Sequence, residues 1–512
     1  MSRTEKAIKN TKYALISKLL SLFISFVSRT VFIHVLGNTF LGINGLFTEV
    51  LSVLSFAELG FGTALNYSLY APVVRGDTVK TVKLLHFYKT VYRVIALIVA
   101  GLGLLLVPFL KYIVKGADTL TLHDLRLFFL LFLTNTVVSY FVSYKYSYVN
   151  ARQENYLMTE INFAVNSLIS CAQIVVILIF RNYLVYLLTH TFLILLSRFF
   201  IALYLNKKYP ILKEQPKVPL SEEEKQPIYQ EIKGLIVHQF SSVAVHQTDN
   251  IIISSLTGLG VVMVGFVSNY NLLINSVLGF VTQVFNSVTS GFGNLAASST
   301  KENYRKVFFT ANFINFWIYG FCCIAFFVLI PPFITLWIGR DRLIDTMSLF
   351  LIIMNCYLQG QSLIYNNARL AVGNFNRDKW WALTQAIVNL VVSIWGAKQL
   401  GLVGVYIGTV VSRLVNILFR PYATYRFMFD HSCGEYYLQL FKYFGSAICA
   451  GTVCYFATFK LLENVTLWTF ILSAIIVLIL PNLIFAALYY RSNEFKDLRI
   501  RLNTIIKEHK HA

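Results

Sequence analysis

Charged side chains are scarce in this chain, since only 13% of its 512 residues are Asp, Glu, Lys or Arg while 56% are hydrophobic. Soluble globular proteins carry about 25% charged residues. The composition therefore excludes a soluble enzyme or binding domain, and the mean hydropathy of +0.62 indicates a membrane protein with many spans. The lipid bilayer is the first partner that the sequence predicts.

Acidic residues are the scarcer charge, with 24 against 44 Lys and Arg and a net charge of +20. Such an excess can bind nucleic acid, but here its distribution follows membrane topology. With the N-terminus in the cytoplasm, about 31 basic residues fall on cytoplasmic ends and loops and about 8 on external loops. We therefore place both termini in the cytoplasm and expect no nucleic-acid partner.

Signatures of catalysis are also missing. None of the seven cysteines has the spacing of metal ligands, and no glycine-rich loop with Lys-Ser or Lys-Thr could hold ATP phosphates. No external loop is large enough for a catalytic domain. His238 and His246 lie near Asp249, but inside an apolar segment without an evident nucleophile. We predict that the protein is not an enzyme and has no metal or organic cofactor.

Apolar segments long enough to cross a hydrocarbon core of about 30 Å recur along the chain and predict an all-α polytopic membrane protein. The first has no cleavage site and is interpreted as a retained helix. We count about fourteen, at roughly 13–36, 39–69, 88–110, 126–149, 155–180, 183–205, 232–256, 261–290, 306–339, 346–368, 380–399, 401–425, 440–460 and 467–490.

Three short motifs return at a nearly constant distance and indicate an internal repeat. At offsets of 217, 215 and 217 residues, Asn150-Ala151-Arg152 returns as Asn367-Ala368-Arg369, Ser197-Arg198 as Ser412-Arg413, and Phe87-Tyr88-Lys89 as Tyr304-Arg305-Lys306. Because each half has six spans, both halves enter the membrane from the same side and form parallel repeats.

The repeat predicts the domain organisation. Residues 1–205 form an N-terminal lobe with spans one to six, and 206–231 form a charged cytoplasmic linker. Residues 232–425 form a C-terminal lobe with spans seven to twelve. Residues 426–512 add two C-terminal spans and a basic cytoplasmic tail.

The first span carries cations where lipid disfavours them. Lys18 lies near the start of segment 13–36 and Arg29 lies well inside it. A cation at the bilayer centre costs at least about 2.5–3.5 kcal/mol and rarely faces lipid. At 100° per residue the two cations lie about 20° apart around the helix, on the stripe that holds Ser21 and Ser25. This face predicts a watery cavity and an anionic cargo.

Further polar stripes follow spans two, seven, eight and ten. Glu49 lies off the first stripe, near the opposite side of its helix. Polar residues in lipid need partners or water, so the stripes predict either a cavity between the halves or interhelical hydrogen bonding. The stripes are Asn44, Thr48, Ser55 and Glu58; His238, Ser242 and Asp249; Asn271, Asn275, Thr282 and Asn286; and Asn355, Gln359, Ser362 and Asn366.

These stripes and cations give a candidate site for phosphate and sugar. Arg198 and Arg413 are equivalent in the repeat, and they either line the cavity or form ion pairs or extend toward a polar surface. Glu58 and Asp249 are candidates for coupling to Na⁺ or H⁺, or for a gating ion pair with Arg29. The predicted substrate-binding residues are Lys18, Arg29, Asn44, Ser55, Asn271, Asn275, Arg198 and Arg413.

Several of these residues belong to motifs that resemble one transporter family. The chain is similar to the bacterial Wzx-like polysaccharide flippases of the multidrug/oligosaccharidyl-lipid/polysaccharide exporter superfamily, over nearly its whole length. The resemblance lies in segments 28–77 and 238–271, with Arg29, Leu36-Gly37, Glu58-Leu59-Gly60 followed by Gly62, Tyr70-Ala71-Pro72, and Thr248-Asp249-Asn250 followed by isoleucines.

The resemblance implies a function and a shape. Such flippases move an undecaprenyl-pyrophosphate-linked oligosaccharide repeat unit from the inner to the outer leaflet of the bacterial cell membrane. They do so by alternating access of two lobes that form a V, for capsule, exopolysaccharide or O-antigen assembly. Other polysaccharide assembly proteins are implied as partners. The polyprenyl tail would stay in lipid, in a groove along spans thirteen and fourteen.

Two members of the same superfamily remain as alternatives. A cation-coupled multidrug antiporter has twelve helices and a cavity suited to cationic drugs, whereas the first span here is basic. A lipid II flippase has fourteen helices and an arginine-rich cavity. Composition does not separate the latter from a polysaccharide flippase, which only the local motifs favour.

Overall fold

The computed structural model describes residues 3–58, 61–287, 289–372 and 378–500. These residues form nineteen α-helices joined by short turns, and no strand occurs within the described ranges. The helices are α1 Arg3–Leu36, α2 Asn38–Leu54, α3 Phe61–Arg75, α4 Thr78–Leu106, α5 Leu110–Ile113, α6 Leu122–Ala151, α7 Asn155–Phe180, α8 Tyr183–Lys208, α9 Glu222–His246, α10 Asp249–Leu256, α11 Gly260–Ser287, α12 Thr289–Ser298, α13 Lys301–Ile338, α14 Thr346–Gln361, α15 Leu363–Val372, α16 Lys379–Leu400, α17 Leu402–Phe429, α18 Gly434–Leu462 and α19 Leu467–Tyr489.

Twelve helical segments of the described chain are long and apolar enough to cross a membrane, which confirms a multi-pass all-α fold. The other two predicted spans are broken helices. Span two divides into α2 and α3, with a 3₁₀ turn at Ser55–Glu58 after α2. Span seven divides between α9 and the eight-residue α10. The count of fourteen therefore stays a prediction, and the breaks mark where backbone polar groups need other partners.

Two compact units make up the chain, Met1–Gly265 and Phe266–Ala512. In the first, α1 packs against α7, and α6 packs against both α4 and α8. In the second, α13 packs against α14, α18 and α19. The lobe and linker boundaries predicted at 205, 231 and 425 stay predictions.

The hairpin of α16 and α17 is the tightest helix pair of the second unit. A Cβ atom added to Gly404 would lie 2.0 Å from the carbonyl oxygen of Gly396, and one added to Gly408 would lie 2.2 Å from the Ser393 hydroxyl. Small residues let helix backbones approach closely, as is common where van der Waals packing associates helices in lipid. These glycines therefore fix the separation of the two helices.

The last two helices join the second unit through an aromatic cluster. The rings of Phe316 and Tyr443 stack with their centroids 4.2 Å apart, and Phe485 and Tyr489 pack against Phe316 at 5.0 and 5.5 Å. Their other faces are rich in exposed apolar side chains, for example Trp468. One side of α18 and α19 thus packs on α13, while the rest suits contact with lipid.

The Asn-Ala-Arg motif makes the same kind of contact in both halves. Arg152, just after α6, lies 3.3 Å from the carboxylate of Glu154, and Arg369 of α15 lies 2.8 Å from that of Asp378. Each acid immediately precedes the next helix, α7 or α16. In the second half Arg420 also contacts Asp378, at 3.2 Å. The repeat seen in the sequence thus recurs as a repeated ion pair.

Candidate functional site

Arg29 is half-buried on α1 and faces aromatic side chains of α8. Its guanidinium is close enough to Tyr186 for their charges to interact. Tyr186 stacks on Tyr183 with ring centroids 6.0 Å apart, and Phe32, one turn after Arg29, packs edge-on against both rings. The predicted cation is therefore held beside tyrosines, whose faces attract cations and whose hydroxyls can bind oxygen-rich ligands.

Asn44 of α2 belongs to the same cluster. Its side-chain oxygen accepts a hydrogen bond of 3.0 Å from the Tyr183 hydroxyl. Two predicted residues from different helices, Arg29 and Asn44, are thus joined through the stacked tyrosines. Lys18 is half-buried on α1, about 16 Å along the helix from Arg29 at 1.5 Å per residue. We name Arg29, Asn44, Tyr183 and Tyr186 the arginine–tyrosine cluster.

Ser55 and Glu58 meet in a second polar cluster of the first unit. Glu58 lies in the turn after α2 and hydrogen-bonds with Tyr92 of α4 and Tyr140 of α6. Tyr140 also contacts the Ser55 hydroxyl, which donates back to the Leu51 carbonyl at 2.8 Å. The partners of Glu58 are therefore phenols, and the break in span two brings its carboxylate between α4 and α6.

Sequence reasoning did not assign Glu49 to the site, yet its carboxylate links α2 to α10. One of its oxygens accepts 2.8 Å from the backbone N–H of Asn250, and the other accepts 2.7 Å from the Asn250 side chain. Asn250 is the second residue of α10, where backbone N–H groups have no partner inside the helix. A carboxylate is stabilised at such an end by the helix dipole. Glu49 thus caps the broken half of span seven.

Asp249, which with Glu58 was predicted to serve ion coupling or gating, is the first residue of α10 and interacts electrostatically with Glu49. The two half-buried carboxylates are therefore near enough to interact, although Glu49 lies off the polar stripe of its helix. A bound proton or cation would offset the repulsion between two nearby carboxylates. The sequence signal that could have identified Glu49 is a single acidic residue within an apolar helix, whether or not it lies on the polar stripe.

Glycines allow α2 to approach the start of α11 closely. A Cβ atom added to Gly42 would lie 1.8 Å from the carbonyl oxygen of Val261, and one added to Gly265 would lie 2.3 Å from that of Asn38. The N–H of Val261 donates to the Lys115 carbonyl at 2.7 Å. Backbone contacts therefore lock α2, the start of α11 and the segment after α5 together. We name this contact the α2–α11 crossing.

Replacing Gly42 with leucine should force the α2–α11 crossing apart, because the new side chain has no room beside the Val261 carbonyl. We expect Ile43, which is fully buried, to become reactive when it is changed to cysteine in the Gly42→Leu background. Maleimide labelling of solubilised protein, followed by mass spectrometry of that peptide, measures the change. Gly45→Ala is the matched control, since its nearest neighbour is a side-chain methyl of Val264 at 3.3 Å. Equal protection of Cys in both backgrounds would contradict the steric argument.

Of the remaining predicted residues, Arg198 belongs to the first unit, and Arg413, Asn271 and Asn275 belong to the second. Arg198 on α8 donates to the Tyr146 hydroxyl and lies over that ring at 5.8 Å. Arg413 on α17 is buried and donates 2.9 Å to the side-chain oxygen of Asn355. Asn271 is half-buried and Asn275 is exposed on α11. Each arginine of the repeated pair therefore has a neutral partner within its own unit.

Two apolar cavities lie against α18 in the second unit. One, of about 370 Å³, lies between α13, α14 and α18, and the other, of about 490 Å³, lies between α14, α17 and α18. They share Phe350, Met354, Tyr357 and Phe444, so they adjoin along α14 and α18. Their walls are almost wholly apolar, which suits a hydrocarbon chain.

No group of three or more His, Cys, Asp or Glu side chains is arranged to hold a metal ion in the part of the chain that the structure describes. The paired carboxylates of Glu49 and Asp249 fall short of such a group. Their chemistry fits a proton, or a cation that is also held by backbone or amide oxygens.

Solved structures with a similar fold are transporters. The inward-closed structure of the lipid II flippase MurJ matches with a TM-score of 0.67 over 93% of this chain and 98% of the flippase, at 14% identity. An inward-facing multidrug resistance MATE family transporter of the MOP superfamily matches at 0.60 over 80% and 96%, at 16% identity. A MOP superfamily transporter from Pyrococcus furiosus, described as having a binding pocket of reverse polarity, matches at 0.51 over 81% and 94%, at 15% identity.

The sequence matches no family model and no curated protein. At these low identities the structural likeness shows the fold alone. The fold resembles that of a lipid II flippase and of a MATE family transporter, and these two neighbours are not enzymes.

Proposed function

We propose that this protein is a flippase that moves undecaprenyl-pyrophosphate-linked oligosaccharide repeat units from the cytoplasmic to the outer leaflet of the bacterial cell membrane. It works by alternating access and serves capsule, exopolysaccharide or O-antigen biosynthesis. The observation that carries the proposal is Arg29, a half-buried cation inside a membrane span and beside polar aromatic side chains.

The arginine–tyrosine cluster suits the head group of such a lipid. A guanidinium presents a planar fork of N–H donors that matches phosphate oxygens, and the interaction strengthens where water is excluded. The amide of Asn44 and the hydroxyls of Tyr183 and Tyr186 supply the moderate donors and acceptors that sugar hydroxyls need. Lys18 adds a mobile positive charge on the same face, nearer the predicted cytoplasmic entrance.

The apolar cavities along α18 suit the polyprenyl chain of the lipid. A polyprenyl chain keeps its favourable environment when it lies in an apolar groove open to lipid, and only the head group then needs a polar path. We therefore assign the chain to the two cavities that share Met354 and Phe444. The family resemblance implied a groove along spans thirteen and fourteen; these cavities lie along span thirteen, and no residue of span fourteen lines them.

Filling the shared wall of these cavities tests the assignment. Because Met354 lines both, Met354→Trp should lower transport of a full-length polyprenyl substrate several-fold and leave a short-chain analogue unaffected. Transport is measured in vesicles as the fraction of fluorescent lipid that moves to the opposite leaflet. Leu472→Trp, an exposed apolar position of α19, is the matched control. Equal loss for both chain lengths would argue against a chain-binding role.

The function itself is tested by substrate choice in reconstituted vesicles. Protein in phospholipid vesicles should flip a pyrophosphate-linked oligosaccharide, measured as the fraction that becomes accessible to an added glycosidase. A fluorescent cationic drug is offered in parallel and should not be transported. Drug transport without lipid transport would replace the proposal with a multidrug antiporter.

A lipid II flippase is the second candidate, and the structural likeness to MurJ over 93% of the chain favours it. Both substrates share the polyprenyl pyrophosphate and differ in the attached sugars and peptide. The same vesicles loaded with lipid II separate the two, because a polysaccharide flippase should transport the oligosaccharide lipid faster. Preference for lipid II would make this second candidate the function.

A further inference from the structure

A third cavity lies beyond the apolar pair, at the ends of α13 and α18. It has a volume of about 790 Å³ and is lined by these helix ends, by Arg340, by the start of α14 and by residues 463–466. Its walls mix apolar groups with the hydroxyls of Thr335, Thr346 and Thr466. None of the residues predicted from the sequence as substrate-binding lines it. In the orientation predicted from the charge distribution, this end faces the outside.

The polar cavity adjoins one of the two apolar cavities. Phe327 and Tyr455 line both it and the adjoining apolar cavity. The three cavities together follow α18 from Tyr437 to Leu462, a distance of about 38 Å at 1.5 Å per residue. One leaflet contributes only half of a hydrocarbon core of about 30 Å. A chain that fills this path is therefore longer than one leaflet, which favours a long isoprenoid over an acyl chain of a phospholipid.

Arg340 gives the cavity a guanidinium group, which is suited to binding phosphate. It follows Gly339, whose φ of 105° turns the chain away from α13, and its side chain is exposed. The nearby acids have other partners: Asp341 lies 4.0 Å from Arg342, and Asp345 accepts a 2.8 Å hydrogen bond from Ser348 at the start of α14. Within the described chain, no ion pair of Arg340 is found. Its guanidinium can therefore bind an oxyanion with two parallel N–H groups.

Glu463 is the only acid on the wall of this cavity in the part of the chain that the structure describes. A carboxylate in the same space as Arg340 repels a polyanion and so weakens its binding. A site on an exit path needs such a balance, because a head group that binds too tightly would not leave. Because the two side chains have opposite charges, removing the charge of Arg340 should weaken binding and removing that of Glu463 should strengthen it.

We propose that the polar cavity is an exit site that binds the pyrophosphate end of the polyprenyl carrier after translocation, while the isoprenoid chain lies along α18. This inference rests on the proposed function and adds a second phosphate site, separate from the arginine–tyrosine cluster. Arg340 binds the phosphate oxygens, the threonine hydroxyls donate to them, and Glu463 limits the affinity.

The test measures binding with the first site disabled. Full-length Arg29→Gln protein in lipid nanodiscs is titrated with a fluorescent full-length polyprenyl pyrophosphate. Adding Arg340→Gln should weaken the affinity about tenfold, as expected for losing one charged hydrogen-bonded contact of about 1.5 kcal/mol. Adding Glu463→Gln should strengthen it. Arg342→Gln is the matched control and should have no effect, since Arg342 faces Asp341 and does not line the cavity.

Competition identifies the ligand. Unlabelled polyprenyl pyrophosphate should displace the probe, whereas phosphatidylglycerol and inorganic pyrophosphate should not at the same concentration. Displacement by phosphatidylglycerol would assign the site to membrane phospholipid, and displacement by inorganic pyrophosphate would assign it to free phosphate. Either result overturns the proposal, as does equal affinity in the Arg340→Gln and Arg342→Gln proteins. If wild-type protein transports the lipid while Arg340→Gln has no effect, only the exit site fails; if it transports none, the proposed function fails.

Discussion

Arg29→Gln is expected to lower lipid transport about 10-fold to 100-fold while the protein still inserts and folds. Glutamine keeps hydrogen-bonding groups beside Tyr186 but removes the positive charge that a pyrophosphate requires. Hydrogen bonds to charged groups contribute about 1.5–3 kcal/mol, which corresponds to about this range of rates. The measurement is the initial rate at which the oligosaccharide lipid becomes accessible to glycosidase in vesicles that hold equal amounts of protein.

Two further variants separate charge from structure. Arg29→Lys keeps the charge but loses the planar fork, so it should restore part of the rate. Arg126→Gln changes an exposed arginine of α6 and should behave as the wild type. A normal rate in Arg29→Gln protein, or an equal loss in Arg126→Gln protein, would remove the phosphate-binding role of Arg29.

We propose that Glu49 and Asp249 couple transport to Na⁺ or H⁺, and we expect Glu49→Gln to abolish the dependence of transport on that cation. The variant keeps one oxygen for the Asn250 N–H but removes one of the two charges beside the start of α10. Asp249 would then no longer share its surroundings with a second carboxylate, and binding a proton or Na⁺ would relieve no repulsion. The measurement is the transport rate with and without imposed Na⁺ and pH gradients, where wild type should respond to one of them.

Asp249→Asn should reproduce the loss of cation dependence, because coupling needs both acids. Glu223→Gln, an exposed acid at the start of α9, is the matched control and should keep the wild-type response. Glu58→Gln tests the other residue predicted from the sequence, whose partners are Tyr92 and Tyr140. An unchanged gradient response in both the Glu49 and Asp249 variants would exclude this pair as the coupling site.

The fold class followed from the sequence because hydropathy and length are local properties of each segment. Twelve spans could be located from the sequence, most of them to within about five residues, since a lipid-exposed helix must be apolar along its whole length; the span that begins at Thr78 was predicted to begin at 88. The two breaks were not predicted. Ser55–Glu58 and Gln247–Thr248 contain no proline, and the partners that stabilise the broken ends come from distant parts of the chain.

Residues of the candidate site could be predicted only where the side chain itself is energetically costly inside a membrane span. Arg29 could be identified because a cation inside a membrane span is costly, whatever residues surround it. Its tyrosine neighbours counted as apolar in the sequence, and nothing local links Tyr183 to Asn44, 139 residues away. Glu49 was set aside because a helical wheel assumes one inward face. A helix in a bundle can have neighbours on several sides, so polar residues off the main stripe also find partners.

The glycine contacts between α16 and α17 have a mechanical consequence. With backbone touching backbone at Gly396 and Gly404, this hairpin can neither slide nor splay without losing its packing. It should therefore move as one stiff body through a transport cycle. Spectroscopic labels on its exposed positions Trp395 and Tyr422 should therefore keep a constant distance in every state. That distance would serve as an internal reference for other distances measured in the same protein.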